Sequence, residues 1–244
     1  MASFLMIHGA WHGGWCFDRL RAPLEAAGHA MTAPDLPGMG GDTRALAAVS
    51  LESWARFVAE AAEALPAPVI LCGHSRGGIV VSQAAELAPE RFTALVYIAA
   101  MLVPDGASLY DMRDSQPRDA AFEAGLEPVA SGLAVAVAPE VATAYFCDRC
   151  SPADQAMVAA RLLPEPVRPL GTPLRLSEAR SGQVPRHYIA CRHDRTIPFA
   201  LQQAMQARLP CATSVTLESD HSPFLCAPEA LTAALITIAE RIEA

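Results

Sequence analysis

The sequence predicts an α/β fold with a doubly wound, mostly parallel sheet, and three observations support this prediction. Short hydrophobic runs alternate along the chain with segments of helical periodicity, as they do in α/β proteins. The runs are continuously hydrophobic, which is typical of strands that are covered on both faces. The alternation lapses between residues 101 and 175, which indicates an inserted segment.

The hydrophobic runs are predicted strands, and two segments between them carry clear helix signals. Ser50 is a candidate N-cap for a helix over residues 50–65, because apolar residues repeat on one face and Pro66 and Pro68 follow. A second helix is predicted over residues 228–242, with Pro228 in its first turn. The predicted strands are residues 4–7, 29–33, 69–72, 94–100, 186–191 and 213–217.

Residues 1–100 and 176–244 are predicted to form the core, and residues 101–175 a helical cap, or lid, inserted into it. This cap segment is rich in Pro, Ala and acidic residues and shows no strong strand. It contains enough Leu, Val, Phe and Tyr to pack against the core, so we interpret it as a lid and not as a linker. Its helix-like pieces are residues 117–125, 139–146 and 151–163.

Composition excludes several classes of partner. The chain has 244 residues, of which 52% are hydrophobic and 18% charged, so a globular protein is predicted. A net charge of −8 with scattered basic residues disfavours nucleic acid and anionic membranes as partners. We see no hydrophobic stretch long enough to span a bilayer and no secretory signal. The oligomeric state is left open, with a homodimer as the candidate assembly.

Cysteine usage predicts a reducing location. The seven cysteines are irregularly spaced, which indicates free thiols in the cytoplasm and no disulfides. Cys147 and Cys150 form a CxxC pair, but no second pair or histidine pattern completes a zinc site. We interpret the pair as chance and expect no metal and no cofactor.

Ser75 is the candidate nucleophile. The stretch Gly73-His74-Ser75-Arg76-Gly77 has the G-x-S-x-G pattern between a predicted strand and a predicted helix, which is the context of a nucleophile elbow. The sharp turn would strain the serine backbone, and side chains at positions 73 and 77 would collide with the neighbouring strand and helix. A serine that only caps the helix is the alternative interpretation.

A serine nucleophile needs a base and an acid that orients the base. His221 follows the last predicted strand, and Asp194 follows the strand before it. One helix and one strand fit between them, so both side chains are expected at the same edge of the sheet. We therefore predict a triad of Ser75, His221 and Asp194. Asp105 is the second candidate for the acid, and Asp220 is assigned a loop or surface role.

The loop over residues 8–16, HGAWHGGWC, is predicted to supply half of an oxyanion hole. Its small residues let backbone N–H groups approach a substrate carbonyl, so the N–H groups of Ala10 and Arg76 are the candidate donors. A phosphate-binding role for these glycines is disfavoured, because neither a Walker pattern nor G-x-G-x-x-G is present. The candidate pocket residues are Gly9, Trp11, Tyr110, Phe122, Tyr145 and Phe146.

Four blocks of this sequence resemble one branch of the α/β-hydrolase superfamily. The branch contains plant methyl esterases, hydroxynitrile lyases and bacterial ester hydrolases, among them pyrethroid-hydrolysing enzymes. The resemblance extends from Phe4 to the C-terminus and is weakest in the cap segment. The blocks are HGAWHGGWCFDRLRAPLEAAGHAMTAPDLPG, CGHSRGG, YIACRHDRTIP and SDHSPFLCAPEAL.

The resemblance implies an α/β-hydrolase fold, the same triad and oxyanion donors, and chemistry without a metal or cofactor. The lyases of the branch carry threonine after the strand histidine and lysine after the catalytic histidine, where this chain has Gly9 and Ser222. An esterase is therefore favoured. The plant esterases usually have leucine in place of Arg76, and we expect the Arg76 side chain to face away from the pocket.

The expected function is that of a serine carboxylic ester hydrolase. Its substrate would be a small to medium apolar or aryl ester, cleaved through an acyl-enzyme. One alternative is lyase-type or other non-ester chemistry on the same triad. The other is a non-catalytic, ligand-binding receptor on a hydrolase fold, since the fold alone does not dictate activity.

Overall fold

A six-stranded parallel sheet forms the centre of the computed structural model, which describes residues 1–39 and 46–243. The strands are β1 (Ser3–Ile7), β2 (Ala30–Thr32), β3 (Val69–His74), β4 (Ala94–Ile98), β5 (Leu126–Val129), β6 (Ala134–Val137), β7 (Glu165–Pro166), β8 (Arg186–Cys191) and β9 (Thr213–Leu217). The order of the central sheet is β2-β1-β3-β4-β8-β9, with all neighbours parallel. Each predicted strand overlaps one strand of the central sheet, and the predicted doubly wound fold class is confirmed.

The helices lie between the strands along the chain. They are α1 (Asp18–Ala26), α2 (Leu51–Glu63), α3 (Gly77–Leu87), α4 (Leu109–Asp114), α5 (Ala120–Ala124), α6 (Pro139–Phe146), α7 (Pro152–Arg161), α8 (Phe199–Arg208), α9 (Pro223–Cys226) and α10 (Pro228–Glu243). The predicted start of α2 is confirmed, because the Ser50 side chain accepts a hydrogen bond from Ser53 N in a reciprocal capping box. Among the described residues, no helix is both long and apolar enough to cross a membrane.

Both faces of the four inner strands, β1, β3, β4 and β8, are covered by hydrophobic side chains, which explains the hydrophobicity of these strands. Leu5 and Ile7 of β1 belong to one cluster, with residues of α2 and α3. Phe4 and Met6 belong to a second cluster, with residues of α1 and α10. Since successive residues of a strand point to opposite faces, each face needs its own apolar set. Strongly polar side chains of these inner strands, such as His74 and Arg186, therefore lie at strand ends.

Residues 101–175, predicted as a helical cap without a strong strand, contain three short strands as well as helices. Strands β5, β6 and β7 form a separate antiparallel sheet in the order β5-β6-β7. The two edge strands contain Pro128 and Pro166, and proline is tolerated at edges although it argues against strands in a sequence. The central strand β6 is alanine-rich, so its propensity signal is weak. The division into a core and a cap stays a prediction.

Candidate active site

Ser75 lies in a tight turn between β3 and α3. Its φ angle is 53°, in the left-handed region that a residue with a side chain rarely adopts. Backbone hydrogen bonds keep Ser75 in this strained conformation, because Ser75 N donates to Ile98 O and Ser75 O accepts from Met101 N. A Cβ atom at Gly77 would lie 2.6 Å from Ile7 O. Only glycine therefore allows α3 to begin this close to β1.

Ser75, His221 and Asp194 are joined by hydrogen bonds. Ser75 Oγ lies 2.9 Å from His221 Nε2, and His221 Nδ1 lies 2.7 Å from Asp194 Oδ2. Because a carboxylate only accepts, Nδ1 carries the proton and Nε2 accepts from the serine hydroxyl. The other carboxylate oxygen, Asp194 Oδ1, accepts from the backbone N–H groups of Thr196 and Ile197. The turn before α8 thus fixes the orientation of the acid.

The three residues come from separate strand ends, as predicted. Ser75 follows β3, Asp194 follows β8 and His221 follows β9, and the carboxyl ends of parallel strands meet at one edge of a sheet. The exposed fractions are 8%, 5% and 2%, respectively. The arrangement can move a proton from a hydroxyl to an imidazole in a site that is largely shielded from water.

Asp105, the second candidate for the acid, lies away from this group. Its Oδ1 accepts a hydrogen bond of 2.8 Å from Leu176 N, and the residue is exposed. It lines a surface cavity whose lining includes no triad residue. Among these two aspartates, only Asp194 contacts His221.

Asp220 has a loop role, but the suggested surface location is wrong, since the residue is fully buried. Oδ1 accepts from Ser222 N and Oδ2 from Arg149 N, each at 2.9 Å. With Cys150 and Cys226 it forms the one group within residues 1–39 and 46–243 whose ligand atoms could hold a metal ion. The carboxylate therefore ties the residue after His221 to the segment between α6 and α7 instead of facing the imidazole.

Buried neutral histidines support the site, and the sequence analysis missed them. Burial lowers the pKa of His8 and His74 and brings that of His12 to about 4. His74 Nε2 donates to the carbonyl of His221 at 2.7 Å, and His8 Nδ1 donates to that of Gly9 at 2.9 Å. These rings therefore position backbone on both sides of Ser75. His8 and His74 lie at the carboxyl ends of the neighbouring strands β1 and β3. That position was the feature of the sequence that could have indicated a role beside Ser75.

The Arg76 side chain forms a buried ion pair with Glu165 of β7. Arg76 Nε lies 2.8 Å from Glu165 Oε1, and the guanidinium carbon lies 4.4 Å from the ring centroid of Trp54. Arg76 Nη2 also donates to Gly9 O at 3.0 Å, and Trp11 N donates to Glu165 Oε2 at 3.2 Å. The pair thus holds both ends of the loop of residues 9–11.

The electrostatics of this pair explain why both partners are present. Burial lowers the pKa of Arg76 and raises that of Glu165, while each partner's charge opposes that shift in the other. Neither charge would be stable at this depth without the other. Glu165 is a site residue that the sequence analysis missed, because it lies 89 residues from Arg76 and its segment has no clear periodicity.

The N–H groups of Ala10 and Arg76, the predicted oxyanion donors, follow β1 and β3, respectively. Over residues 1–39 and 46–243, neither N–H donates a hydrogen bond to the protein. The carbonyl of Ala10 accepts from His12 Nδ1 at 2.8 Å, which fixes the peptide. Both N–H groups are free to donate to a ligand, as an oxyanion hole requires.

Four of the predicted pocket residues, Trp11, Phe122, Tyr145 and Phe146, belong to one hydrophobic cluster. Trp11 stacks on Phe146 with 5.5 Å between ring centroids, and Phe122 lies 5.0 Å from Tyr145. The Phe146 ring lies 5.9 Å from that of His221. This hydrophobic cluster therefore lies beside His221 of the candidate triad.

Tyr110 is the predicted aromatic pocket residue that lies outside this hydrophobic cluster. The Arg113 guanidinium carbon lies 4.4 Å from the Tyr110 ring centroid. Its backbone N–H donates to Leu170 O at 3.2 Å. A pocket role for Tyr110 stays a prediction.

Comparison with known proteins finds relatives that align with nearly the whole chain. Residues 4–234 match the model of the alpha/beta hydrolase family. The chain is 31% identical to Methylesterase 7 of Arabidopsis thaliana, over 98% of this chain and 96% of that protein. It is 30% identical to Salicylic acid-binding protein 2 of Nicotiana tabacum, over 98% and 97%. The crystal structure of a pyrethroid hydrolase from Sphingobium faniae JZ-2 aligns with a TM-score of 0.84 at 28% identity, covering 98% of both chains.

Proposed function

Because the chain belongs to the alpha/beta hydrolase family, as its sequence blocks predict, we propose that it is a serine carboxylic ester hydrolase. The observation that carries the proposal is the unbroken hydrogen-bond chain from Ser75 Oγ through His221 to Asp194. The esterase and hydrolase names of its relatives support an enzyme of this class.

The first half of the proposed reaction forms an acyl-enzyme. Ser75 Oγ attacks the ester carbonyl carbon while His221 Nε2 takes the hydroxyl proton. The carbonyl oxygen becomes an oxyanion and accepts hydrogen bonds from Ala10 N and Arg76 N. As the tetrahedral intermediate collapses, His221 gives its proton to the departing alcohol. Asp194 stabilises the imidazolium and keeps the tautomer fixed.

The second half of the proposed reaction uses water in place of the alcohol. His221 Nε2 takes a proton from water, and the resulting hydroxide attacks the acyl carbon on Ser75. Collapse of the second tetrahedral intermediate breaks the bond to Ser75 Oγ, which regains its proton from His221. The carboxylic acid leaves, and the enzyme returns to its starting state.

The substrate class follows from the side chains beside the triad. Trp11 and Phe146 stack against each other, and Phe146 approaches His221. Aromatic and aliphatic surfaces of this kind favour apolar ligands. We therefore propose a small to medium ester with an apolar or aryl group as the substrate.

Space at position 9 argues against the lyase alternative. A Cβ atom at Gly9 would lie 2.8 Å from His74 Nδ1 and 2.9 Å from Ser75 Cβ. A threonine at this position would therefore force one of these side chains to move. Ester hydrolysis needs no side chain there, so the chain fits that chemistry better.

The test compares the protein with a Ser75→Ala variant on short p-nitrophenyl esters. We expect the variant to lose at least about 10⁴-fold in kcat, because the nucleophile is removed. Ser222→Ala is a matched control, since its buried hydroxyl adjoins His221 and has no hydrogen-bond partner within the described residues. That variant should keep its turnover.

Three outcomes would contradict the proposal. Equal, negligible turnover by the protein and by Ser75→Ala would favour a binding protein. Loss of turnover in Ser222→Ala with retention in Ser75→Ala would identify Ser222, and not Ser75, as the nucleophile. Cyanide release from mandelonitrile without ester turnover would favour a lyase.

A further inference from the structure

The CxxC pair, which ester hydrolysis does not use, lies against the loop that carries His221. Cys147 directly follows α6, and the N–H of Cys150 donates to Cys147 O at 3.1 Å, which closes a turn. Cys226 is the last residue of α9, the short helix directly after Ser222. The three cysteines are free thiols. The sequence gives no sign of this grouping, because Cys226 is far from the pair along the chain.

Three potential ligands converge in this group, which we call the thiol cluster: Cys150, Asp220 and Cys226. Cys226 Sγ lies 3.1 Å from Asp220 Oδ1, and Cys150 Sγ lies 3.6 Å from Asp220 Oδ2. Ligand atoms of the three residues all lie within 4.8 Å of one another. In a tetrahedral zinc site, ligand atoms are about 3.3–3.8 Å apart. Small side-chain rotations therefore suffice to enclose a cation.

The chemistry of the cluster selects a particular kind of cation. Two sulfur ligands favour thiophilic ions over Mg²⁺ and Ca²⁺, which prefer oxygen. The carboxylate supplies a further negative charge at a buried position. Cys226 is only partly buried, so it gives an ion access from the surface.

We propose that Cys150, Asp220 and Cys226 bind one thiophilic divalent cation of the zinc class. Each thiol releases its proton to solvent as its sulfur coordinates the ion. Two thiolates and one carboxylate then carry three negative charges against the two positive charges of the ion. The fourth position is open to water or to the thiol of Cys147.

Occupation of the thiol cluster would act on the catalytic loop. Asp220 accepts hydrogen bonds from Ser222 N and Arg149 N, and it directly precedes His221. Coordination draws the carboxylate towards the sulfurs and weakens these two hydrogen bonds. His221 then shifts relative to Ser75, so the cation lowers ester turnover. This effect on turnover rests on the proposed function, whereas binding of the cation does not.

The binding test uses the full chain, stripped of metal with a chelator, freed of the chelator and kept reduced with a phosphine. Cd²⁺ is the probe, because cadmium–thiolate bonds absorb in the ultraviolet where the free ion does not. We expect the absorption band to saturate at one Cd²⁺ per chain and to decrease when excess Zn²⁺ competes. Thermal unfolding of the unmodified protein should shift upward with Cd²⁺, since a ligand of the native state stabilises it.

Variants assign the band to the thiol cluster. Cys226→Ser, Cys150→Ser and Asp220→Asn should each weaken Cd²⁺ binding by at least about tenfold, and Cys226→Ala repeats the test with a different side chain. Cys211→Ser is the matched control, because Cys211 is also partly exposed but contacts Leu209 O, outside the cluster. This control should bind Cd²⁺ as the unmodified protein does.

Two results would overturn the site: no saturable band and no thermal shift with micromolar Cd²⁺, or a band that persists in both Cys150→Ser and Cys226→Ser. Turnover is measured separately on the same samples, with Zn²⁺ as the ion. Inhibition that Cys226→Ser relieves supports the effect on the loop. If the metal-free protein hydrolyses no ester, the proposed function fails while the Cd²⁺ band still decides the cation site.

Discussion

Two buried polar pairs flank Ser75, and they differ in what they connect. The Asp194–His221 pair joins the ends of β8 and β9 within the central sheet. The Arg76–Glu165 pair joins the turn after Ser75 to β7 of the small antiparallel sheet. The first pair contains His221 Nε2, the atom that would accept the proton of Ser75. The second pair forms hydrogen bonds with backbone groups of residues 9–11.

The difference assigns a separate task to each pair. In the proposed reaction His221 changes its protonation state, so its partner has to stabilise a positive charge that is present only during turnover. Arg76 and Glu165 are fully buried and contact fixed groups of the loop, the carbonyl of Gly9 and the N–H of Trp11. We therefore expect the first pair to control the chemical step and the second to control folding and loop geometry.

Replacement of the acid in the first pair should have the largest effect. In Asp194→Asn the amide would favour the wrong imidazole tautomer, so we expect kcat for an aryl ester to fall by about 10⁴-fold. Asp105→Asn is the control and should leave kcat unchanged. Steady-state kinetics of both variants give the comparison. A loss of less than tenfold in Asp194→Asn would show that another group orients His221.

The first pair was predictable from the sequence for a physical reason. Ser75, Asp194 and His221 each follow a hydrophobic strand, and parallel strands bring their carboxyl ends together. Glu165 lies instead in a strand of two residues beside prolines, where local pattern carries no signal. Its position depends on the pairing of β6 with β7, which only tertiary structure specifies. The Arg76 side chain could not be assigned without that partner.

Breaking the second pair should destabilise the fold. Glu165→Gln leaves the Arg76 charge buried without a counter-charge, and we expect a loss of about 3–5 kcal/mol in the free energy of unfolding. Glu52→Gln breaks the exposed pair with Arg56 and serves as control, with no measurable change expected. Urea unfolding at pH 7 measures both. Equal midpoints for the two variants would contradict a buried, charged pair.

The pH dependence of stability tests whether the buried imidazole of His12 is neutral in the folded protein. Burial, and then the charges of His221 and Arg76, lower the pKa of His12 to about 4 from the ordinary value of 6.5. The unfolded chain therefore binds a proton that the folded protein does not, and stability falls as the pH decreases from 6.5 towards 4. From pH 7 to pH 5 this one histidine contributes a loss of about 2 kcal/mol.

The variant for this test is His12→Gln, which keeps a donor for the carbonyl of Ala10. Urea unfolding at pH 7 and pH 5 gives the loss of stability for each protein. We expect the variant to lose about 2 kcal/mol less than the unmodified protein. The low pKa values of His8 and His74 have the same sign, so a part of the acid sensitivity should remain. Equal losses in the two proteins would mean that His12 is already protonated or solvated when folded.

The smallest effect is expected from a variant that tests whether the Arg76–Glu165 pair positions the loop of residues 9–11 or only fills space. A double variant, Arg76→Leu with Glu165→Leu, buries no charge, so its stability should recover most of the loss seen in Glu165→Gln. Gly9 O and Trp11 N nevertheless lose the partners that the pair provides. We therefore expect kcat to stay about tenfold below that of the unmodified protein with KM nearly unchanged, because a loop displaced by a fraction of an ångström still binds the ester. Full recovery of kcat together with stability would show that the pair only fills space and that the loop of residues 9–11 is held by other contacts.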